Sequence, residues 1–253
     1  MISHLKRNFD TKFEVPWSYF LPNQTGHVAS TYEYVYPKYP KEFDYEIKEH
    51  GFRVTPADPT KPIIVFAGCS MTFGIGLPVE DTWCHLVAKE LGYENQYLNM
   101  GIPGSGPDAQ LVNLHWALDN YKIDKICWFM SDPHRQIVYQ HDRYACYVPP
   151  DTNFFDDKNF GEKFVEVNTM LYDTIWIKTY WEIYGLFARV SDKKIPMNMS
   201  CWFGRSDYDL NKLREQFGIK QLGKMKAIDL ARDNRHNGVQ SNAYLASQVI
   251  SNL

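Results

Sequence analysis

The chain has 253 residues, of which 44% are hydrophobic and 23% charged, values typical of a folded globular protein. A formal net charge of −3 without a dense basic run argues against nucleic acid as a partner. The first residues include no apolar segment of the secretory type, and no stretch approaches the length of a membrane span. We therefore expect a cytoplasmic protein without a membrane partner.

Residues 1–60 are rich in proline and tyrosine and show no sustained helical period. Proline favours extended or turn structure in such a stretch, and the aromatic residues favour packing over disorder. We therefore predict an N-terminal arm over residues 1–60, with a short strand around residues 45–54. We expect this arm to pack on a domain formed by residues 61–253.

From Lys61 onward, short apolar runs alternate with amphipathic segments. The runs at 61–68, 96–102 and 124–132 have the length and composition of buried strands. Apolar residues recur at helical spacing in the segments 78–92 and 105–121, with Ser105 and Asp108 expected to cap the second helix. Such alternation predicts a parallel sheet with helices on both faces.

The second half of the chain is less regular. Its predicted elements are an irregular insertion over 136–170, an aromatic-rich buried helix over 171–190, a strand over 194–204, a helix over 209–218, and a final helix capped by Asn237 and Gln240. The aromatic residues of the second element have helical spacing, which favours a place in the core; a sugar-stacking platform is the alternative. They are Trp176, Tyr180, Trp181 and Tyr184.

Polar residues follow the three best-defined strands. They lie in loops 68–76, 99–106 and 131–135, and a fourth polar segment, 233–236, precedes the final helix. Ligands of open parallel sheets bind at the carboxyl ends of the strands. We expect the four segments to converge on one rim of the domain.

Three of these segments carry recognisable motifs. "GCSMTFGIG" at 68–76 resembles the first block of the SGNH/GDSL hydrolases, G-D-S-x-T-x-G, and "NMGIPGSG" at 99–106 is similar to their second block. "DNRH" at 233–236 resembles the last block, D-x-x-H, and "HGFR" at 50–53 is similar to a segment ahead of the first strand in some members. The blocks occur in the family's order. The resemblance implies a divergent member with a three-layer, flavodoxin-like α/β fold.

The resemblance also implies roles for individual residues. Ser70 is the expected nucleophile, His236 the general base that takes its proton, and Asp233 the carboxylate that orients the imidazole. The backbone N–H groups of Ser70 and Gly101 are the expected oxyanion donors. Neither a metal nor an organic cofactor is implied.

The chain departs from the family pattern at two positions. Cys69 replaces the usual aspartate of the first block, and "FMSD" at 129–132 replaces G-x-N-D in the third. Ser131 therefore stands where the family has its asparagine oxyanion donor, as a shorter donor of the same kind.

Nearby polar residues add candidate contacts. Asn99 and His134 are the alternative oxyanion donors and substrate contacts, and Arg135 suits an anionic group on the substrate. The alternative for His134 and Arg135 is a solvated turn.

We thus predict a serine esterase that hydrolyses small acyl esters, including O-acetyl groups on glycans, through an acyl-enzyme. The substrate class rests on the family resemblance alone. The alternative is a non-catalytic binding or structural protein of the same fold, whose N-terminal arm forms a contact in a homo-oligomer or a particle. A weaker alternative is a thiol-dependent activity at Cys69.

Overall fold

The computed structural model describes most of the chain. The described residues are 16–18, 20–28, 43–140, 143–147, 158–201, 204–231 and 236–253. The strands are β1 (Gln24–Val28), β2 (Phe43–Ile47), β3 (Ile63–Gly68), β4 (Tyr97–Asn99), β5 (Ile123–Met130), β6 (Gln136–Gln140), β7 (Arg143–Tyr147), β8 (Met197–Cys201) and β9 (Lys220–Gln221). The α-helices are α1 (Ser70–Phe73), α2 (Trp83–Glu90), α3 (Pro107–Asn120), α4 (Lys158–Met170), α5 (Tyr172–Asp192), α6 (Gly204–Phe217) and α7 (Val239–Ser251).

Five strands form the central sheet in the order β4-β3-β5-β8-β9, and every neighbouring pair is parallel. In chain order these are the second, first, third, fourth and fifth strands, which is the flavodoxin-like arrangement. The chain moves to one side of β3 to form β4 and returns to the other side to form β5. The carboxyl end of β3, where the strand order reverses, is the usual position of a ligand in such folds.

The sheet separates two apolar layers. Val65 and Ala67 of β3 pack in one layer with α3, α5 and α6, whereas Ile64 and Phe66 pack in the other with α2 and α7. Because both faces of β3 are covered, its residues form an unbroken apolar run instead of alternating with polar ones. The predicted α/β class and three-layer architecture are confirmed.

The described part of the N-terminal arm packs on the helices. β1 and β2 pair as an antiparallel ribbon, and the Tyr45 ring of β2 packs at a tilt against Phe73 of α1 with 5.5 Å between the ring centres. The Trp17 N–H donates to Oδ1 of Asn113 on α3 at 2.6 Å, and Nδ2 of Asn113 donates to the Trp17 carbonyl at 2.8 Å. Phe52 belongs to the main core. A division of the chain at residue 60 remains a prediction.

The segment 136–170 differs from its prediction as an irregular insertion. β6 and β7 form an antiparallel hairpin within it, and α4 occupies its end. Residues 141–142 and 148–157 lie outside the described part. α5 also differs, because only its inner face is buried while Trp181 on the outer face is exposed. Aromatic content alone did not reveal which face of this helix meets the core.

Two predicted helix caps are wrong. α3 begins at Pro107 with Gly106 as its N-cap residue, and Ser105 instead donates from its hydroxyl to the Gly68 carbonyl at 3.2 Å. Asn237 and Gln240 do not cap α7, whose N-cap residue is Gly238.

A side chain from the preceding loop caps α7 instead. Oδ2 of Asp229 accepts the Gln240 N–H at 3.0 Å, and Oδ1 accepts the Ser241 N–H at 2.9 Å. The Ser241 hydroxyl also donates to Oδ1 at 2.8 Å. A carboxylate at a helix N-terminus satisfies the open N–H groups and interacts favourably with the helix dipole.

We expect Asp229→Ala to lower the free energy of unfolding by about 1–2 kcal/mol, because it removes both acceptors at the N-terminus of α7. Urea denaturation followed by circular dichroism measures the loss. Asp229→Asn is the matched control, since it keeps one oxygen acceptor and should lose less. Equal stability of the alanine variant and the wild type would contradict this role.

Candidate functional site

Ser70 is the first residue of α1, and two small residues, Gly68 at the end of β3 and Cys69, precede it. Gly68 ends β3 with φ of 155°, and a Cβ at this position would lie 2.1 Å from Oγ1 of Thr72. The turn therefore requires glycine. It leaves the Ser70 side chain half-buried, with its Oγ 3.9 Å from Sγ of the buried Cys69.

A buried arginine holds the end of this turn. Nη1 of Arg53 donates to the carbonyls of Phe73 at 2.7 Å and Gly74 at 2.5 Å, and Nη2 donates to the carbonyl of Leu77. The guanidinium also lies over the Tyr45 ring, 4.6 Å from its centre. Burial lowers the pKa of Arg53 from its usual value. Helix α1 has its last carbonyls satisfied by a cation, the charge that favours a helix C-terminus.

The loop after β4 lies directly against α1. A Cβ on Gly101 would lie 2.3 Å from the Phe73 nitrogen, so only glycine permits this approach. Asn99 joins the two segments, since its Nδ2 donates to the Thr72 carbonyl at 2.8 Å and its Oδ1 accepts the Gly101 N–H at 2.9 Å. Asn99 is buried and both ends of its amide are used within the protein, which indicates a structural role.

Ser131 follows β5 and is also buried. Its hydroxyl donates to the Ser105 carbonyl at 2.6 Å and accepts from Nε2 of Gln110 at 2.9 Å. Oε1 of Gln110 in turn accepts from Nε1 of Trp128 at 2.8 Å. A hydroxyl can donate only one hydrogen bond, and that of Ser131 goes to the Ser105 carbonyl. In this arrangement Ser131 does not supply the donor that the family's asparagine supplies.

The same loop contains an acid–histidine pair. Nδ1 of His134 lies 2.7 Å from Oδ1 of Asp132, which also accepts the His134 backbone N–H at 2.9 Å. Burial alone would raise the pKa of Asp132, but the side-chain and backbone hydrogen bonds from His134 and the charge of Arg135 hold it below its usual value. His134 is buried, which excludes a solvated turn at this residue.

Arg135 is half-buried. Its Nε is buried and has no hydrogen-bond partner among the residues that the structure describes. A buried N–H group without a hydrogen-bond partner favours binding of a ligand that supplies an acceptor.

The last motif is described in part. Asp233 lies outside the described residues. His236 is half-buried, and its carbonyl accepts the Ala231 N–H at 2.8 Å. The triad therefore stays a prediction.

A short series of contacts connects the His236 segment to α1. Asn242 of α7 donates from Nδ2 to the Asn237 carbonyl at 3.1 Å and accepts the Trp83 N–H at 3.1 Å. The neighbouring Cys84 donates from Sγ to the Thr72 carbonyl at 3.4 Å. These contacts fix the segment that follows His236 against the elements that follow Ser70.

Sequence reasoning missed two of these contacts. "HGFR" is part of the resemblance, but no role follows from it for Arg53, whose carbonyl partners lie 20 to 24 positions away. Nothing in the sequence indicates that Gln110 contacts Ser131. Across the described ranges, His, Cys, Asp and Glu side chains form no group of three that would hold a metal ion. None of the helices described is long and apolar enough to cross a membrane.

No protein-family model and no curated protein matches the sequence. Solved structures with a similar arrangement include TesA, at 13% identity and a TM-score of 0.49, covering 76% of this chain and 97% of that one. The psychrotrophic esterase EstA from Pseudoalteromonas, in a structure inhibited by monoethylphosphonate, matches at 11% identity and a TM-score of 0.48, covering 76% and 96%.

A member of the lipolytic G-D-S-L family from Veillonella parvula matches at 14% identity and a TM-score of 0.44, covering 75% of this chain and 96% of that one.

We expect Arg53→Met to lower the free energy of unfolding by about 3 kcal/mol, because three buried carbonyls lose their donor. Chemical denaturation measures this loss, and hydrogen exchange at the Gly74 amide measures loosening of the turn. Arg189→Met is the matched control, since Arg189 pairs with Asp119 at the surface and should contribute less than about 1 kcal/mol. Equal effects of the two substitutions would contradict the role of Arg53.

Proposed function

We propose that the protein is a serine esterase that hydrolyses small acyl esters through an acyl-enzyme on Ser70. One observation carries the proposal: Ser70 follows β3 after one intervening residue, at the position where the strand order reverses, in a turn that requires glycine. Ligands of this architecture bind at that point. The half-buried hydroxyl of Ser70 at this position supports attack on a bound ester.

The proposed reaction has two steps. Oγ of Ser70 attacks the ester carbonyl while His236 takes its proton, and Asp233 orients the imidazole and stabilises its positive charge. The tetrahedral intermediate then expels the alcohol, which receives the proton from His236. Water, activated by the same histidine, hydrolyses the acyl-enzyme and restores Ser70. The contacts between α1, α2 and the segment after His236 support this assignment of the base.

The oxyanion site requires one rearrangement. The Ser70 N–H is the first proposed donor, and the Gly101 N–H is the second. Because Oδ1 of Asn99 accepts the Gly101 N–H before substrate binds, the oxyanion has to replace that neutral acceptor. A charged acceptor forms the stronger hydrogen bond, which favours this replacement in the transition state and not in the ground state.

The rim beyond Ser70 supplies the proposed substrate contacts. Arg135 suits an anionic or strongly polar acyl ester, because its Nε lacks a partner among the described residues. His134 is proposed to contact the substrate through its ring while Asp132 holds its orientation. O-acetyl groups on glycans are one candidate class of small acyl ester.

A second candidate function is a non-catalytic binding or structural protein. It is favoured by the donors that are already used, namely the Ser131 hydroxyl and the Gly101 N–H. In this alternative, the site at the carboxyl end of β3 binds a ligand without attacking it, and the N-terminal arm contacts another subunit or a particle.

We expect a fluorophosphonate probe to label the folded wild type at Ser70 and not to label Ser70→Ala. Hydrolysis of p-nitrophenyl acetate should fall by a factor on the order of a thousand or more in Ser70→Ala. His236→Ala should lose labelling as well, because the hydroxyl then lacks its base. Mass spectrometry of the labelled peptide identifies the site.

Cys69→Ala is the matched control and should keep both labelling and hydrolysis, since the thiol has no step in the proposed reaction. Retained hydrolysis in Ser70→Ala that disappears in Cys69→Ala would assign the activity to the thiol. Absence of labelling in well-folded wild type would favour the non-catalytic alternative.

A further inference from the structure

α4 and α5 form one nearly continuous helix. The Leu171 N–H donates to the Val167 carbonyl at 2.9 Å, and the Ile175 N–H donates to the Leu171 carbonyl at 2.9 Å. The helical spacing of hydrogen bonds thus continues across the boundary between the two elements. At 1.5 Å per residue, the helix from Lys158 to Asp192 spans roughly 50 Å.

The outer face of this helix carries most of the exposed large hydrophobic residues in the described part of the chain. Five of the seven exposed large hydrophobic residues in the described part of the chain lie on it, with exposed fractions between 45% and 78%. They are Val167, Met170, Leu171, Ile177 and Trp181. Single exposed apolar residues are ordinary, but a contiguous group of this size marks an interaction surface.

Their spacing is that of a coiled-coil seam. Val167, Met170, Thr174, Ile177 and Trp181 follow one another at alternating steps of three and four residues. In a heptad these are successive a and d positions, which face a second helix. We name these five residues the outer seam. The inner face of α5 already packs on the core, so the outer seam is a second apolar face.

We propose that the outer seam binds the outer seam of a second copy of this chain, as a parallel helix pair that forms a homodimer. The charged residues beside the outer seam favour a second copy of the chain, in parallel orientation, as the binding partner. Asp173 and Lys178 occupy g and e positions five residues apart, the spacing at which g of one parallel helix faces e of the other. Two-fold symmetry then forms two Asp173–Lys178 ion pairs between the copies, with each Lys178 ammonium shared with Glu182 of its own helix, 3.7 Å away.

The same face fits an anionic lipid surface poorly. Its exposed charged residues include more acids than lysines: Glu162, Lys163, Glu166, Asp173, Lys178 and Glu182. A polar rim of both signs around an apolar centre with an exposed tryptophan is the usual composition of a protein–protein interface. Trp181 is the expected anchor of the contact.

Sedimentation velocity of the full chain over a range of concentrations tests the proposal. We expect a concentration-dependent dimer, and we expect Ile177→Glu and Trp181→Glu each to raise its dissociation constant by at least about 30-fold. Ile228→Glu is the matched control, since Ile228 is an exposed apolar residue away from this helix, and it should leave the dimer unchanged. Thermal unfolding of each variant checks that the fold is intact.

A charge exchange tests the parallel orientation. Asp173→Lys or Lys178→Asp alone should weaken the dimer, and the two together should restore it. Thr174→Cys should form a disulfide between copies on mild oxidation, because equal a positions face each other only in a parallel pair.

Four results would overturn the proposal. They are a wild type that stays monomeric, a dimer indifferent to Ile177→Glu, failure of both the charge exchange and the cross-link, and monomers that float with phosphatidylcholine vesicles. The last would assign the outer seam to a lipid surface. None of these readouts depends on esterase activity, so they are independent of the proposed function.

Discussion

The contact between the Arg53 guanidinium and the carbonyls that end the Ser70 turn is the constraint on which the site depends. A short helix such as α1 leaves most of its carbonyls without intrahelical partners, and buried carbonyls need donors. Arg53 supplies several donors from one side chain, and the rings around it exclude water. Arg53, which precedes β3 in the chain, therefore fixes the geometry of the residues that follow β3.

The other contacts to α1 are consistent with this constraint. The Thr72 carbonyl accepts from Asn99 and from Cys84, so the loop after β4 and the start of α2 are both held against the same short helix. Gly101 permits the close approach because it has no side chain. Contacts from Arg53, Asn99 and Cys84 therefore fix the turn that carries Ser70. The proposed role of Ser70 as a nucleophile requires such preorganisation.

The sequence predicts the part of this arrangement that local pattern determines. The apolar run of β3 and the glycines around Ser70 indicate a buried strand and a tight turn, and both are present. Local sequence patterns do not predict contacts between residues that are far apart in the chain. Asp229 caps α7 from outside the helix, and Ser131 donates to Ser105 although the motif aligns it with an oxyanion donor. Exposure of Trp181 likewise depends on which face of α5 meets the sheet.

We propose that Ser70 is a nucleophile and that the oxyanion of its tetrahedral intermediate takes the Gly101 N–H from Asn99. A crystal structure of the protein after reaction with a fluorophosphonate tests it most directly. We expect phosphorus bonded to Oγ of Ser70, a phosphoryl oxygen hydrogen-bonded to the Gly101 N–H, and Oδ1 of Asn99 displaced. A phosphonyl group on another residue, or an adduct at Ser70 with the Asn99–Gly101 bond intact, would contradict it.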